Sequence, residues 1–83
     1  MSSLRELPNI GAEFEKRLIA VDIKAAEELK KVGAVNAFMR IKAIYTDACI
    51  CKFMALEGAV QGIRWHNLSI AKKEELKTLF KTL

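Results

Sequence analysis

The stretch Leu7-Pro8-Asn9-Ile10-Gly11 decides the fold, because it places a proline and a glycine three residues apart near the start of the chain. Proline ends a helical turn, and glycine permits the sharp change of direction that precedes a new helix, so the backbone has to reverse here. The stretch therefore predicts a helical hairpin that begins a segment running from Ala12 to Gly33.

The apolar-Pro-x-apolar-Gly spacing resembles the helix-hairpin-helix element of many DNA-binding proteins, in which backbone N–H groups approach a phosphate. Asn9 stands where that element usually has its first glycine; asparagine tolerates a left-handed backbone, but we expect its side chain to crowd the phosphate. Glu13, at a position that is often basic in such hairpins, stabilises the helix start and repels a phosphate. Structural scaffolding is therefore the preferred interpretation of the hairpin, and a DNA clamp the alternative.

Composition predicts one compact helical domain over residues 1–83. Hydrophobic residues make up 52% of the chain, with one proline and four glycines, which excludes disordered and collagen-like classes. A chain of this length buries a modest core but forms no deep cleft between domains. Because no apolar run reaches the roughly 18–20 residues of a membrane span and no signal peptide is evident, we expect a cytoplasmic protein without membrane contact.

The net charge of +4 is spread along the chain, without a block of like charge. Residues 1–41 carry seven basic and six acidic side chains, and residues 42–83 carry seven basic and four acidic ones. The basic excess therefore lies in the second half. It is mild compared with the clustered charge of committed nucleic-acid binders.

Apolar periodicity predicts a short lead-in turn over 3–6 and helices over 12–21, 25–32, 34–45, 48–61 and 70–83. Ser3 has capping-box spacing for the lead-in turn, Thr46-Asp47 reads as the break and N-cap before the fourth of these helices, and Ser69 reads as the cap of the last one. Gly33 is expected to end the second helix.

The helix predicted over 48–61 is apolar almost all round, so it should be central. Its expected core residues are Ile50, Phe53, Met54, Leu56 and Val60. Gly58 costs roughly 1 kcal/mol against alanine in a helix interior, which indicates that it admits a neighbouring helix. Cys49 and Cys51 point to different sides of a helix and are interpreted as reduced core thiols, with no disulfide or shared metal.

No pattern of residues indicates catalysis, a metal site or a cofactor. The only histidine, His66, has no acid or cysteine at a suggestive distance in sequence, which makes an enzyme the least favoured class. Trp65 beside it is interpreted as an anchor that holds the loop before the last helix against the core. Gly33, Phe53, Leu56, Gly58 and Trp65 are thus the predicted structural anchors.

The last predicted helix has a clear amphipathic pattern, with Leu76, Leu79, Phe80 and Leu83 on one side. Lys73, Lys77 and Lys81 form a second stripe, which is more simply a solvated face than a phosphate-binding track. If the chain binds DNA, the expected contacts are the N–H groups around Asn9, Gly11 and Ala12, with Lys16, Arg17, Lys73, Lys77 and Lys81.

Several short motifs in order resemble the C-terminal domain of the TfoX/Sxy family of bacterial competence regulators. They are Leu7-Pro-Asn-Ile-Gly11, Ile23 with Glu28-Leu29, Val32-Gly33-Ala34-Val35, Ala55-Leu56-Glu57-Gly58-Ala59 and Gly62-Ile63-Arg64-Trp65. The resemblance implies a small all-α fold with helix-hairpin-helix or SAM-like packing, and a transcriptional coactivator role at DNA uptake genes. It also implies that the N-terminal domain of the full-length regulators is absent from this sequence.

The sequence therefore predicts an all-α, five- or six-helix domain that acts as a regulatory interaction module without a cofactor. The expected partner is a protein, either the transcription machinery or a TfoX N-terminal-type domain. Weak DNA binding without sequence preference is the alternative function. Oligomeric state is left open by the sequence.

Overall fold

The computed structural model describes residues 3–83, which form five α-helices and two 3-10 turns and contain no strand. The helices are α1 (Ala12–Ala20), α2 (Ala26–Val32), α3 (Ala34–Ile44), α4 (Ile50–Gln61) and α5 (Ile70–Thr82). The 3-10 turns are Ser3–Glu6, before the hairpin, and Trp65–Asn67, before α5. The predicted all-α class is confirmed. None of the helices in this part of the chain is long and apolar enough to cross a bilayer.

Helix α4 lies at the centre, because it packs against α3, against α5 and against the second 3-10 turn. Phe53 and Leu56 are fully buried, and the Phe53 ring stacks on Phe38 of α3 with 4.7 Å between the ring centroids. The prediction of a central apolar helix is confirmed. Ile50 and Val60, which were predicted to be core residues, are half-buried because they lie near the two ends of α4.

The start of α4 differs from the prediction. The helix begins at Ile50, with Cys49 in the N-cap position and no side-chain cap, so Thr46-Asp47 is not its N-cap. Cys49 and Cys51 are both free and exposed, which corrects the expectation of core thiols. The reason is that the later start puts both residues at the solvent-facing first turn, before the buried part of the helix.

Two serines and one glycine set the ends of other helices. The Ser69 hydroxyl accepts a hydrogen bond from the Lys72 N–H at 3.0 Å, which confirms the predicted cap of α5. The Ser3 hydroxyl does not cap its own turn; it accepts from the Ala26 N–H at 2.8 Å and so closes the start of α2. Gly33 joins α2 to α3 with a φ of +85°, a backbone that favours glycine.

Helices α1 and α2 both pack against α3 and against the first 3-10 turn, whereas α5 packs against α4. Helices α3 and α4, which pack against each other, therefore form the middle of the domain. The hairpin stretch 7–11 links the first 3-10 turn to α1, and its residues reach α4 by a separate set of contacts.

Candidate functional site

The side chain of Asn9 in the hairpin is directed into the protein. Its Nδ2 donates to the carbonyl oxygens of Ile63 at 3.0 Å and Ala55 at 3.3 Å, and its Oδ1 accepts from the Trp65 N–H at 3.3 Å. Its φ of +70° shows the expected left-handed backbone. The expectation that this side chain crowds the outer face of the hairpin was wrong, because the hydrogen bonds hold it inside. We call these four residues the Asn9 clamp.

Gly58 provides the space that the Asn9 clamp occupies. A Cβ at position 58 would lie 2.6 Å from Nδ2 of Asn9, 2.7 Å from the carbonyl oxygen of Ile63 and 3.1 Å from the nitrogen of Trp65. The predicted close approach therefore exists, but the neighbour is the hairpin side chain and the backbone after α4, and not another helix. Gly58 allows the hairpin to dock on α4.

The outer face of the hairpin is open to solvent. Gly11, Ala12 and Glu13 are exposed, and α1 begins after Gly11 without a side-chain cap. A groove of about 310 Å³ lies beside this helix start, and we call it the hairpin groove; it is lined by Gly11, Ala12, Glu13, Phe14, Arg17 and Lys52. An exposed acid in the first turn stabilises the helix and disfavours an anion at the same place.

Arg17 is engaged within the chain. Its Nη1 and Nη2 donate to Oδ1 and Oδ2 of Asp47 at 2.7 and 2.9 Å, and its guanidinium carbon lies 4.4 Å from the centroid of the Tyr45 ring. Only 12% of the Arg17 side chain is exposed. Arg17 therefore ties α1 to the loop between α3 and α4, whereas its neighbour Lys16 is exposed. The predicted DNA contact of Arg17 stays a prediction.

The hydrogen bonds from Arg17 hold the pKa of the Asp47 carboxyl well below its usual range. The charges of Arg17 and of Lys52, whose Nζ is 3.4 Å from Oδ2, lower this pKa further, and partial desolvation opposes them. Asp47 is therefore ionised at neutral pH and offsets the charge of Arg17 at this end of α1.

The three predicted basic positions of α5 differ in their surroundings. The Lys73 ammonium donates to the His66 carbonyl at 3.1 Å, and the Lys77 ammonium lies 3.6 Å from a carboxylate oxygen of Glu74. Lys81 is exposed and has no ionic partner within residues 3–83. Of the three lysines, only Lys77 is thus paired with a carboxylate, Lys73 is engaged with a neutral carbonyl, and Lys81, near the end of the helix, is the most available.

A second groove of about 310 Å³ runs between α5 and the first residue of α4, and we call it the α5 groove. It is lined by Ile50, Glu74, Lys77, Thr78, Phe80 and Lys81. A third, smaller one of about 230 Å³ on α3 is lined by Met39, Lys42, Ala43 and Leu83. All three grooves are surface features. Within residues 3–83 no group of three His, Cys, Asp or Glu side chains is placed to hold a metal ion.

Trp65 is half-buried in the second 3-10 turn, where it packs against the core. Its ring stacks on that of His66, with 4.1 Å between the centroids. Because its backbone N–H is also held by Asn9, Trp65 joins the last loop to both the core and the hairpin. This placement fits the anchor role predicted from the sequence.

Three residues that shape these surfaces were not singled out as site residues from the sequence. Asp47, predicted to be part of an N-cap, is the partner of Arg17, and the ring of Tyr45, the last residue of the helix predicted over 34–45, lies under the guanidinium. Lys42 of α3 donates to the Leu83 carbonyl at 2.9 Å. The two hydrogen-bonded pairs are 30 and 41 residues apart in sequence, which no local periodicity reveals.

This geometry defines a small all-α domain in which a proline-glycine hairpin is clamped onto a central helix and the surface carries shallow grooves. The chain belongs to the TfoX C-terminal domain family, whose model matches residues 1–80. It is 33% identical over 76 residues to the DNA transformation protein TfoX of Haemophilus influenzae. That match covers 92% of this chain and 35% of the other, so the chain spans about a third of the length of this relative.

Two solved structures share the fold. An uncharacterised protein from Listeria monocytogenes, in a triclinic crystal form, is 52% identical and superposes with a TM-score of 0.93, covering 95% of this chain and 90% of the other. A protein of unknown function from the same organism, in a tetragonal form, is also 52% identical, with a TM-score of 0.92 and coverage of 95% and 96%. Chains of nearly this extent therefore form the same helical domain in crystals.

Proposed function

We propose that this chain is a regulatory interaction module of a bacterial competence system that acts mainly through protein–protein contacts. Membership of the TfoX C-terminal domain family and similarity to a DNA transformation protein support the competence role. The internal use of Asn9 and Arg17, together with the exposed Glu13, supports protein contacts over a phosphate clamp. This inward orientation of the hairpin's polar groups is the observation that carries the proposal.

In this role the chain is a cytoplasmic, non-enzymatic part of a transcriptional coactivator. Its partner is the transcription machinery or a TfoX N-terminal-type domain, which would supply the functions that a domain of this size lacks. Shallow surface grooves on a helical core suit contacts with another protein, and function belongs to such surface sites and not to the fold itself.

A chimera tests the proposal. In the chimera, residues 3–83 of this chain replace the matching segment of the H. influenzae protein. Expression of a competence-gene reporter is then measured in a strain that lacks its own gene for the H. influenzae protein. We expect reporter expression with the chimera to be about tenfold or more above that with the H. influenzae protein from which the matching segment has been deleted. A folded and expressed chimera without reporter activity would contradict the proposed role.

Weak DNA binding without sequence preference is a second candidate. The basic excess in residues 42–83 and the exposed hairpin backbone at Gly11 and Ala12 favour it. We expect a Kd of about 10⁻⁴ M or weaker at physiological salt, with a log–log salt slope of about −0.9 for each neutralised phosphate. Fluorescence anisotropy on a duplex at two salt concentrations measures both. Sub-micromolar binding that is lost in Lys73→Glu/Lys77→Glu would make DNA the principal ligand.

A further inference from the structure

We propose that the α5 groove docks an acidic, amphipathic helical segment of a partner protein. The inference rests on the proposed protein-interaction function and names the surface and the chemistry of its partner. It follows from three properties of the groove, namely its apolar floor, its straight rim and its charge.

The floor of the α5 groove is apolar and anchored in the core. Phe80 and Ile50 are both half-buried, and the Phe80 ring lies 5.8 Å from that of Phe38, with the two planes inclined at 50°. A volume of about 310 Å³ above such a floor has room for a leucine- or phenylalanine-sized side chain. A partner therefore gains by inserting a large apolar residue here.

The rim of the groove follows one side of a helix. Glu74, Lys77, Thr78 and Lys81 line it at positions i, i+3, i+4 and i+7, so they form a straight ridge along α5. A ridge of this kind matches the spacing of side chains on another helix, which presents its apolar residues at the same intervals. The geometry therefore favours a helical segment over an extended one.

The charge of the rim selects an acidic partner. Lys81 has no ionic partner among residues 3–83, and Lys77 and Glu74 form a 3.6 Å pair between side chains that are both more than half exposed. Such surface pairs contribute little and exchange readily. Across the groove, α4 starts at Ile50 without a side-chain cap, and the positive end of its dipole adds to the attraction for a carboxylate.

The other two grooves lack this combination. In the hairpin groove Arg17 is already paired with Asp47, and Glu13 contributes an exposed negative charge. In the groove on α3 the Lys42 ammonium donates to the Leu83 carbonyl and lies 5.3 Å from the centroid of the Phe80 ring, so its charge is directed inward. The α5 groove is therefore the surface at which an apolar floor and an available lysine coincide.

A pair of synthetic peptides tests the proposal on the 83-residue chain. One is a helix-forming peptide with leucines at i, i+3, i+4 and i+7 and glutamates at most other positions, and the second has the same composition with the leucines distributed around the helix. Binding is followed by ¹H–¹⁵N correlation spectra. We expect the first peptide to bind and to shift the amide signals of Ile50, Thr78 and Lys81, and the second to bind about tenfold more weakly.

Variants locate the site. Lys77→Glu/Lys81→Glu should weaken binding of the first peptide about tenfold or more, whereas Lys16→Glu/Lys30→Glu, which changes the net charge equally at exposed positions of α1 and α2, should change it less than about threefold. Thr78→Trp fills the groove from an exposed position without altering charge and should abolish binding, with helical content checked by circular dichroism.

Equal binding of the two peptides, absence of binding at millimolar concentration, or shifts centred on the hairpin would overturn the docking proposal. A DNA duplex that displaces the peptide from the α5 groove at physiological salt would overturn it in favour of nucleic acid. If the peptide does not bind but the chimera restores reporter expression, the docking proposal is wrong and the proposed function as an interaction module is retained. If the peptide binds but the chimera is inactive, the proposed competence role is wrong and the docking proposal is retained.

Discussion

Asn9 and Gly58 depend on each other, because the amide of one fills the space beside the Cα of the other. In an open helix interior, replacing glycine with alanine stabilises by roughly 1 kcal/mol. At position 58 the new methyl group would meet a carbonyl oxygen at 2.7 Å, and this backbone atom cannot rotate away. The local helix preference and the tertiary contact therefore have opposite effects, and the contact is the larger.

We predict that Gly58→Ala destabilises the domain by about 1–3 kcal/mol, as overpacking of a tight site does. Urea unfolding followed by circular dichroism measures the free energy of unfolding. Thr78→Ala, at an exposed position of α5, is the control for helix preference and should change stability by less than about 0.5 kcal/mol. A Gly58→Ala variant as stable as the parent would show that the clamp is not tightly packed.

Asp47, also a single residue, makes a pH-dependent contribution to the stability of the domain. Its pKa is lower in the folded chain than the usual value of 3.8 for a free aspartate, so its ion pair contributes stability above that value and loses it as pH falls toward the folded pKa. We predict that Asp47→Asn lowers stability at neutral pH and that the difference from the parent shrinks below about pH 4. Urea midpoints between about pH 2 and 7 test this; a difference independent of pH would contradict it.

At the scale of elements, α4 carries the core. We predict that Phe53→Ala costs about 3–5 kcal/mol, because the fully buried ring stacks on Phe38 and its removal leaves a cavity. This is a large part of the stability of a small domain. Ile70→Ala is a matched control, because Ile70 is 80% exposed on α5 and its truncation should lower the stability of the domain only slightly. Thermal denaturation of both variants distinguishes them; a near-normal midpoint for Phe53→Ala would contradict the central position of α4.

Positions of the helices were predictable from the sequence, because apolar spacing reflects which side of a helix is buried. The predicted core residues Phe53, Met54 and Leu56 and the predicted apolar-face residue Leu76 are all buried. The start of α4 was not predictable, because Asp47 is a good cap by residue type and is instead paired with a residue 30 positions away. The preference of a residue type for the N-cap position cannot predict a partner that is close only in the folded chain.

The candidate site was predictable only in part, for the same reason. The left-handed backbone of Asn9 follows from its residue type and the hairpin spacing. The direction of its side chain depends on carbonyl groups 46 and 54 residues later, which become neighbours only when α4 and the second 3-10 turn are in place. The lysines of α5 could be placed on one stripe from their spacing alone. The apolar floor of the α5 groove could not be predicted, because it also depends on where α4 begins.

For the molecule as a whole, Trp65 reports on the native packing. It is half-buried against the core and contacts the His66 ring. We predict that native fluorescence emission is blue-shifted relative to the unfolded chain and that its unfolding transition coincides with that of circular dichroism, as in two-state domains. Native emission at the wavelength of a water-exposed indole would instead make Trp65 part of a binding surface.

The Asn9 clamp also has a kinetic consequence. Its hydrogen bonds close a sequence separation of 46 to 56 residues, whereas the contact between α3 and α4 joins neighbours along the chain. Closing a long loop costs conformational entropy that is recovered only when both of its ends are ordered. The hairpin should therefore dock after the folding transition state, so that Asn9→Ala accelerates unfolding and leaves the folding rate nearly unchanged in stopped-flow measurements.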